Sequence, residues 1–339
     1  MTLTQRRARR STAITGLIAL VLALGGAGTA QAAQTPAPGK VFFWARGQQA
    51  ATPSPNDANN LIYHGGDVQT KPAVYLIFWG TEWAKGFKTS DAAGHTYSGA
   101  QARTYIRDFF SGIGGSPWNG VQTQYCQNVP LGTTDCSGIA GAEHITNPTG
   151  MVHGVWVDPT AVPSDIVTAG LVENIAQDPL AAEAERASTH FGYDPNATYM
   201  IFTPPGHGAT AYGSVYCAYH TAATSPDGSR PVDYAFIPYV PEQGSGCGQN
   251  SVNTSDDAFG HGFFDGFSIV AGHEFSEAET DPHAFPYQDG WNDVQTSENG
   301  DKCAWTDMGN ISLNGRFFAV QPMWSNRAAG GAGGCAMHL

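Results

Sequence analysis

One stretch of the chain reads Gly272-His273-Glu274-Phe275-Ser276-Glu277-Ala278-Glu279-Thr280-Asp281-Pro282-His283, with two histidines and four carboxylates in twelve residues. Apolar residues at mixed helical spacing precede it over positions 263–270, and Pro282 closes it. Because proline cannot continue a helix, this pattern predicts a buried helix over residues 273–279. Imidazole and carboxylate groups are typical metal ligands, so the sequence indicates a metal site on this helix.

The predicted helix places His273 and Glu277 on one face, because residues four apart are neighbours on a helix surface. These two side chains could hold one cation between them. Glu274 lies about 100° further round the helix, where a general base would stand. The motif is His-Glu-x-x-Glu, whereas zinc peptidases usually carry His-Glu-x-x-His, so a carboxylate takes the second ligand position. The pattern predicts a cation held by His273 and Glu277, with Glu274 as the catalytic base.

Two positions could complete this metal site. His283 lies ten residues after His273, which is the spacing of metzincin sites, but Thr280 stands where those sites need a glycine. Glu298 lies at the distance that gluzincin sites use, and Asp301 follows it as a further ligand or as a partner of the ligands. We prefer Glu298 with Asp301, because a β-branched residue resists the sharp turn required at Thr280.

The donor set bears on the metal. One imidazole and two carboxylates are harder donors than two imidazoles and one carboxylate, so the site should hold zinc less tightly and could accept calcium or manganese. Zinc is still the expected metal, with calcium or manganese as alternatives. A competing interpretation has Glu277 and Glu279 solvating a surface helix and His273 as a hydrogen-bonded core histidine. The apolar residues of the helix and the acidic residues downstream favour the metal site.

Two further histidines are candidates for the substrate side of the site. His207 lies in the glycine-rich segment 204–208 after a predicted strand, and His220 follows Cys217. Either could approach the metal helix or bind substrate, although a histidine in such a loop is more often only exposed. The sequence lacks a Gly-x-Ser-x-Gly motif, which disfavours a serine hydrolase.

The first 32 residues are typical of a secretion signal. They contain four arginines, an apolar run over 13–24 and the small-residue cleavage site Ala30-Gln31-Ala32. Residues 33–60 are rich in turn formers, so we expect a mobile lead segment there. Residues 61–339 show no linker and no internal repeat and are expected to form a single catalytic-type domain. The protein is thus predicted to be secreted and extracellular.

The charge of the mature chain limits its partners. Removal of the signal leaves twelve basic residues against 29 acidic ones, a net charge of −17. Nucleic acid and anionic membrane surfaces are therefore poor partners. No later stretch has the ~18 continuous apolar residues of a membrane span, so no membrane insertion is expected.

All six cysteines follow the signal, and an even number fits disulfides in an oxidising compartment. The sequence alone leaves the pairing open. Pairing of nearest neighbours would tie the 298–301 segment to the carboxyl terminus, because it joins Cys126 to Cys136, Cys217 to Cys247 and Cys303 to Cys335.

Strands and helices alternate along the sequence. Apolar runs predict strands over 73–80, 152–157, 198–203, 232–239 and 317–324, the fourth at a sheet edge because it contains Pro238. Amphipathic spacing predicts a helix over 102–113, and Ser164 or Asp165 can begin another that reaches Ile175. This order predicts an α/β fold with an α+β tendency: one layered domain with a mixed, mostly parallel sheet flanked by helices, a zincin-like active-site helix and stabilising disulfides.

Three groups of residues together suggest a family. The sequence resembles the secreted phosphate-induced or EXORDIUM-like proteins of plants and their bacterial relatives in Tyr63-His64-Gly65-Gly66, in 74–80, and in Cys217-Ala218-Tyr219-His220 with 234–238 and Cys247. It is similar to the bacterial branch in 272–277 with Thr280-Asp281-Pro282, in 298–303 and in 320–326. The likeness spans about 61–335. The resemblance implies an extracellular or wall-associated protein with a zincin-like site.

These observations predict a secreted metal-dependent hydrolase, with metallopeptidase as the expected activity and a peptide or protein as the substrate. The alternative is a non-catalytic extracellular protein with a structural cation site that binds cell-wall glycan or another partner. The aromatic content and the family resemblance motivate this second prediction.

Overall fold

The structure, a computed structural model, describes residues 40–48, 60–163, 178–225, 227–254, 257–283 and 287–339. In chain order the strands are β1 (Val41–Trp44), β2 (Ile62–Tyr63), β3 (Ala73–Trp79), β4 (Lys88–Ser90), β5 (Thr96–Ser98), β6 (Cys126–Gln127), β7 (Glu143–His144), β8 (Val152–Asp158), β9 (Ala197–Phe202), β10 (Tyr216–Thr224), β11 (Pro231–Ile237), β12 (Trp291–Asn292), β13 (Gly309–Leu313), β14 (Arg316–Val320), β15 (Met323–Ser325) and β16 (Gly334–Ala336). The α-helices are α1 (Thr81–Lys85), α2 (Gly99–Ile113), α3 (Pro179–Phe191), α4 (Asp265–Thr280) and α5 (Ala328–Gly331), and 3₁₀ helices cover Asn119–Gln124, Val240–Cys247 and Asp301–Cys303. The predicted signal peptide and the predicted helix that reaches Ile175 lie outside the described residues.

A six-stranded sheet forms the centre of the described fold, with the strand order β1-β10-β11-β9-β3-β8. Strands β11, β9, β3 and β8 run parallel, whereas β10 is antiparallel to both of its neighbours, β11 and β1. The predicted mixed, mostly parallel sheet flanked by helices is therefore confirmed. The antiparallel edge of this sheet, formed by β10 and β1, positions the candidate site.

The alternation of side chains along β3 assigns the two faces of the sheet. Val74, Leu76 and Phe78 belong to the core shared with α2 and α4, and Tyr75 and Ile77 belong to the core shared with α3. Since helices cover both faces, every residue of β3 is buried, which explains its unbroken apolar sequence. Helix α2 matches the amphipathic helix that the sequence predicts.

Capping residues start the two flanking helices. Oγ of Ser98 accepts from the backbone N–H of Gln101, whose side chain accepts from the backbone N–H of Ser98, so α2 begins with a capping box. Asp178 accepts from the backbone N–H of Leu180 at the start of α3, with Pro179 as the first helical residue.

Two predicted strands are present, but the edge position of the first and the continuity of the second are wrong. The segment with Pro238 forms β11, which lies inside the sheet between β10 and β9. The proline is harmless there because the strand ends one residue before it, at Ile237. The last predicted strand is split into β14, which pairs with β13, and β15, which pairs with β16, because Pro322 interrupts it.

The prediction of a mobile segment over 33–60 is wrong for part of that segment, because Val41–Trp44 forms β1 and pairs with β10. Phe42 and Phe43 point to opposite faces of the sheet, and both are buried. Burial of such a side chain contributes about 1.5–3 kcal/mol to stability, which helps to hold β1 in the sheet. Four residues are too few for a periodic pattern to predict the strand. Residues 33–39 and 49–59 lie outside the described part of the chain.

Three disulfides follow the nearest-neighbour pairing and join Cys126 to Cys136, Cys217 to Cys247 and Cys303 to Cys335. The third bond links the 3₁₀ helix Asp301–Cys303 to β16. Within the described ranges, no helix combines the length and apolar character needed to cross a bilayer.

Candidate metal centre

Helix α4 carries the first part of the candidate site. The predicted buried helix extends to Asp265–Thr280, and all of its residues are buried. His273 and Glu277 lie one turn apart, with Nε2 of His273 2.9 Å from Oε1 of Glu277. The two atoms form no hydrogen bond, although they are this close. The helical spacing thus brings two donor atoms together as the sequence predicts.

Strand β10 contributes His220 from the sheet. Tyr219 belongs to the core on the α3 side, so the alternation of β10 turns Ala218 and His220 toward α4. Nδ1 of His220 lies 3.0 Å from Oε2 of Glu274, with which it forms a hydrogen bond, and 3.5 Å from Oε2 of Glu277. The sheet edge therefore places a second imidazole against the helix motif.

The segment 298–301 supplies two more carboxylates. Asn299 anchors it, because its side-chain amide donates to the backbone carbonyl of Ser276 on α4 at 3.0 Å. The backbone N–H of Asp301 donates to Oε1 of Glu277 at 2.9 Å. Oε2 of Glu298 lies 3.7 Å from Nε2 of His220.

Oδ1 of Asp301 lies 3.9 Å from Nε2 of His273. Gly300 makes this approach feasible, since a Cβ atom there would lie 2.7 Å from Nδ1 of His273 and 2.9 Å from Oε1 of Glu277. A side chain at position 300 would therefore push the segment away from the helix.

Polar atoms without hydrogen-bond partners surround Glu277. Among the described residues, these buried atoms include Nε2 of His220, Nε2 of His273, Oε2 of Glu277, Oε2 of Glu298 and Oδ1 of Asp301. An unsatisfied buried polar group costs about 1–3 kcal/mol, so a cluster of them is expensive without an occupant. Two sets of side chains converge closely enough to hold a cation: His273 with Glu277 and Asp301, and His220 with Glu274 and Glu277.

The electrostatics of the cluster also suit a cation. Burial lowers the pKa of His273 to about 4, and burial together with His273 lowers the pKa of His220 to about 3, so both imidazoles are neutral at neutral pH. Burial raises the pKa of Glu277 to about 8, and burial with the charge of Glu277 raises the pKa of Asp301 to about 8. Burial and then the charge of Glu277 raise the pKa of Glu274 well above its usual value.

The pKa of Glu298 is likewise raised well above its usual value, first by burial and then by the charge of Glu277. In the described part of the chain, the basic side chains within 4.0 Å of these carboxylates are the two neutral histidines, and none is a lysine or an arginine. The carboxylates therefore need an additional positive charge to be ionised together, and a divalent cation supplies one.

Strand β1 covers the cluster. The ring of Phe43 lies 4.2 Å from the imidazole of His273 and 4.6 Å from the ring of Trp305, between ring centroids. The backbone N–H of Phe43 donates to Oε1 of Glu274 at 3.3 Å. The side chains of His273 and Glu274 are fully buried in this arrangement.

His283 and His207, two candidate site residues, contact groups outside the cluster. Nδ1 of His283 is 2.7 Å from Oδ1 of Asp233, and Nε2 is 3.7 Å from Oδ2 of Asp67. His207 follows β9, with Nδ1 3.1 Å from the backbone carbonyl of Pro163 and Nε2 3.7 Å from Oε1 of Glu82. Neither belongs to the convergent donor sets around Glu277.

The deep burial of His220 is not evident from the sequence. The sequence leaves two roles open for His220, approach to the metal helix or binding of substrate, and the structure buries this side chain against two carboxylates of α4. Nearly every residue of β10 is buried, so polar and apolar residues do not alternate and no clear strand signal arises. The nearby Cys217 is a sequence feature that could have indicated a buried position for His220.

No family model, curated protein or solved structure matches the chain. The resemblance to EXORDIUM-like proteins stays a prediction.

Proposed function

We propose that this protein is a secreted metal-dependent hydrolase with a zincin-like site helix and a peptide or protein substrate. The observation that carries the proposal is the set of unpartnered donor atoms around Glu277, which combines neutral imidazoles with carboxylates. His273, Glu277 and Asp301 are assigned to the cation, with Glu298 beside them, and zinc is the first choice over manganese or calcium. A cation bound there would polarise a carbonyl and lower the pKa of a coordinated water toward ~7.

Glu274 is assigned the role of general base. It follows the assigned ligand His273 directly on α4, and Nδ1 of His220 fixes its orientation through Oε2. Among the described residues, the other oxygen, Oε1, accepts a hydrogen bond only from the backbone N–H of Phe43, at the longer distance of 3.3 Å. Oε1 is therefore the oxygen that would accept a proton from water once β1 moves aside.

Glu274→Gln tests the assignment, because it keeps the size of the side chain and removes its basicity. We expect turnover of casein or of a peptide library to fall by about 10²- to 10⁴-fold, the usual contribution of a general base. The cation held by His273, Glu277 and Asp301 should be retained in this variant, as measured by elemental analysis. Wild-type turnover by the variant would show that the assigned mechanism is wrong.

A second candidate function is a non-catalytic extracellular binding protein with a structural cation site. The complete burial of His273 and Glu274 beneath Phe43 favours it, because substrate cannot reach these groups while β1 is in place. Three disulfides and the predicted signal support an extracellular location for either function. Tightly held zinc with chelator-sensitive hydrolysis would favour the hydrolase, and a metal-containing protein without hydrolysis would favour the binding protein.

A further inference from the structure

The two carboxylate oxygens of Glu277 face two different histidines. Oε1 lies 2.9 Å from Nε2 of His273, and Oε2 lies 3.5 Å from Nδ1 of His220. We propose that a second divalent cation binds beside His220, so that Glu277 bridges two cations. This inference rests on the proposed function for the first cation and adds a second site, formed by His220, Glu274 and Glu277, to it.

The geometry of the second donor set supports this inference. Nδ1 of His220 lies 3.0 Å from Oε2 of Glu274 and 3.5 Å from Oε2 of Glu277. Ligand atoms that surround zinc tetrahedrally at about 2.1 Å are about 3.4 Å from one another, so these separations suit a cation at their centre. The cation would replace the proton that His220 and Glu274 share, and Oε1 of Glu274 would stay available as the base.

Buried donor atoms without hydrogen-bond partners also support a cation beside His220. The side chain of His220 is 1 % exposed and that of Glu277 is 0 % exposed. Oε2 of Glu277 has no hydrogen-bond partner, and neither do the facing atoms Nε2 of His220 and Oε2 of Glu298, 3.7 Å apart. Oε2 of Glu277 faces His220, whereas Oε1 faces His273, so a cation bound to Oε1 beside His273 would leave Oε2 unsatisfied.

The number of carboxylates in the cluster also suits two cations. Glu274, Glu277, Glu298 and Asp301 are four carboxylates, and the two histidines are neutral when they bind a metal. One divalent cation balances two ionised carboxylates, so the other two would have to stay protonated in the buried site. Two divalent cations balance the four charges. A carboxylate bridge matches the ~3.5–4 Å separation of the metals in two-metal hydrolases.

The test is cation stoichiometry in the full mature chain. After metal removal, the protein is loaded with Zn²⁺ and, in a parallel sample, with Mn²⁺, and bound metal is counted by elemental analysis. We expect two cations per chain, and we expect the Mn²⁺ sample to show the electron paramagnetic resonance spectrum of a spin-coupled pair. One cation per chain, or a spectrum of isolated Mn²⁺ only, would overturn the proposal.

Variants assign the two sites. His220→Ala should lower the stoichiometry from two cations to one and remove the spin coupling, and Asp301→Ala should also leave one. His153→Ala is the matched control, because His153 is a strand histidine exposed on β8, and it should keep both cations. Wild-type stoichiometry in His220→Ala would overturn the proposal. If that variant fails to fold, the stoichiometry and the spectrum of the wild type decide.

The proposed function and the second site can fail separately. Two bridged cations in a protein that hydrolyses no peptide would leave the second site standing and contradict the hydrolase. Chelator-sensitive hydrolysis with one cation per chain would support the hydrolase and contradict the second site.

Discussion

The phenyl ring of Phe43 packs against the imidazole of His273, with 4.2 Å between the ring centroids. The same residue donates its backbone N–H to Glu274, so one position of β1 contacts both the assigned ligand and the assigned base. A strand of four residues at the sheet edge thus covers the cluster.

Removal of the Phe43 ring should open the cluster. Phe43→Ala creates a cavity beside His273 and should lower the free energy of unfolding by about 3–5 kcal/mol. It should also speed the loss of bound cation to a chelator, because the apolar layer that excludes water from His273 is gone. The measurement is the rate of cation release after a chelator is added to the loaded protein.

Phe42→Ala is the matched control for this variant. Phe42 is the neighbouring residue, is also buried, and packs on the opposite face of the sheet against Tyr216 and Tyr219. This variant should lose stability but release cation at a rate closer to wild type. Equal release rates in the two variants would show that the Phe43 ring does not protect the site.

The ligand assignments can be separated by three alanine variants. We expect Asp301→Ala to lose one cation, because Oδ1 of Asp301 is an unpartnered atom of the first donor set. Glu298→Ala should weaken binding by about 10- to 100-fold if Glu298 supports the ligands, and by more if it is itself a ligand. His283→Ala should leave cation affinity unchanged, because both of its ring nitrogens face other carboxylates. Loss of cation in His283→Ala alone would show that His283, and not Glu298, is the ligand.

The disulfide between Cys303 and Cys335 should support cation retention. Cys303 lies in the same 3₁₀ helix as Asp301, so this bond restrains the residue that donates to Glu277. Replacement of both cysteines by serine should cost about 2–4 kcal/mol of stability and lower cation affinity. The pair Cys126 and Cys136 closes a loop that contains none of the donor residues, so its removal should affect stability alone and serves as the control. Isothermal titration with Zn²⁺ measures the affinities, and equal affinities in both double variants would contradict the prediction.

The ion pair of His283 with Asp233 predicts a pH dependence of stability away from the cluster. Burial alone lowers the pKa of His283, but the charges and hydrogen bonds of Asp233 and Asp67 outweigh it and raise the pKa to about 10. The unfolded chain has a histidine pKa of about 6.5. The folded state therefore binds the proton more tightly, and the resulting stability is full below about pH 6.5 and lost as the pH rises to about 10.

His283→Gln measures this contribution. The difference in unfolding free energy between wild type and variant should be largest at pH 6 and should shrink by pH 8 and again by pH 10. Denaturant unfolding at these three pH values gives the difference, and His153→Gln on edge strand β8 is the control for the loss of an exposed histidine. A difference for His283→Gln that stays constant over this range would contradict the prediction.

Local pattern was sufficient for several parts of the fold. The buried helix with His273 and Glu277 on one face follows from helical spacing and the stop at Pro282, and the structure contains it. The apolar run of β3 predicts a central strand, because only a strand covered on both faces can be apolar at every position. The disulfide pairing matched the simplest of the choices that the sequence left open.

Other features depend on contacts that local pattern does not encode. Strand β1 is four residues long and is held by its pairing with β10 and by the cores that bury Phe42 and Phe43. Strand β10 carries buried residues on both faces, so its role as the antiparallel neighbour of β11 has no periodic signature. The interior position of β11 likewise results from the pairing of the whole sheet.

His273 and Glu277 share a face of α4 because the covalent chain and the helical repeat fix their spacing, and the amino-acid sequence is enough to predict this. Only the tertiary structure decided that His220 on β10, Asp301 and the cover residue Phe43 meet there. Residues 53 positions apart along the chain, such as His220 and His273, are brought together by sheet pairing and packing of a helix on a sheet. The physical reason is that these contacts depend on the free energy of burying the whole core, to which each local segment contributes only a part.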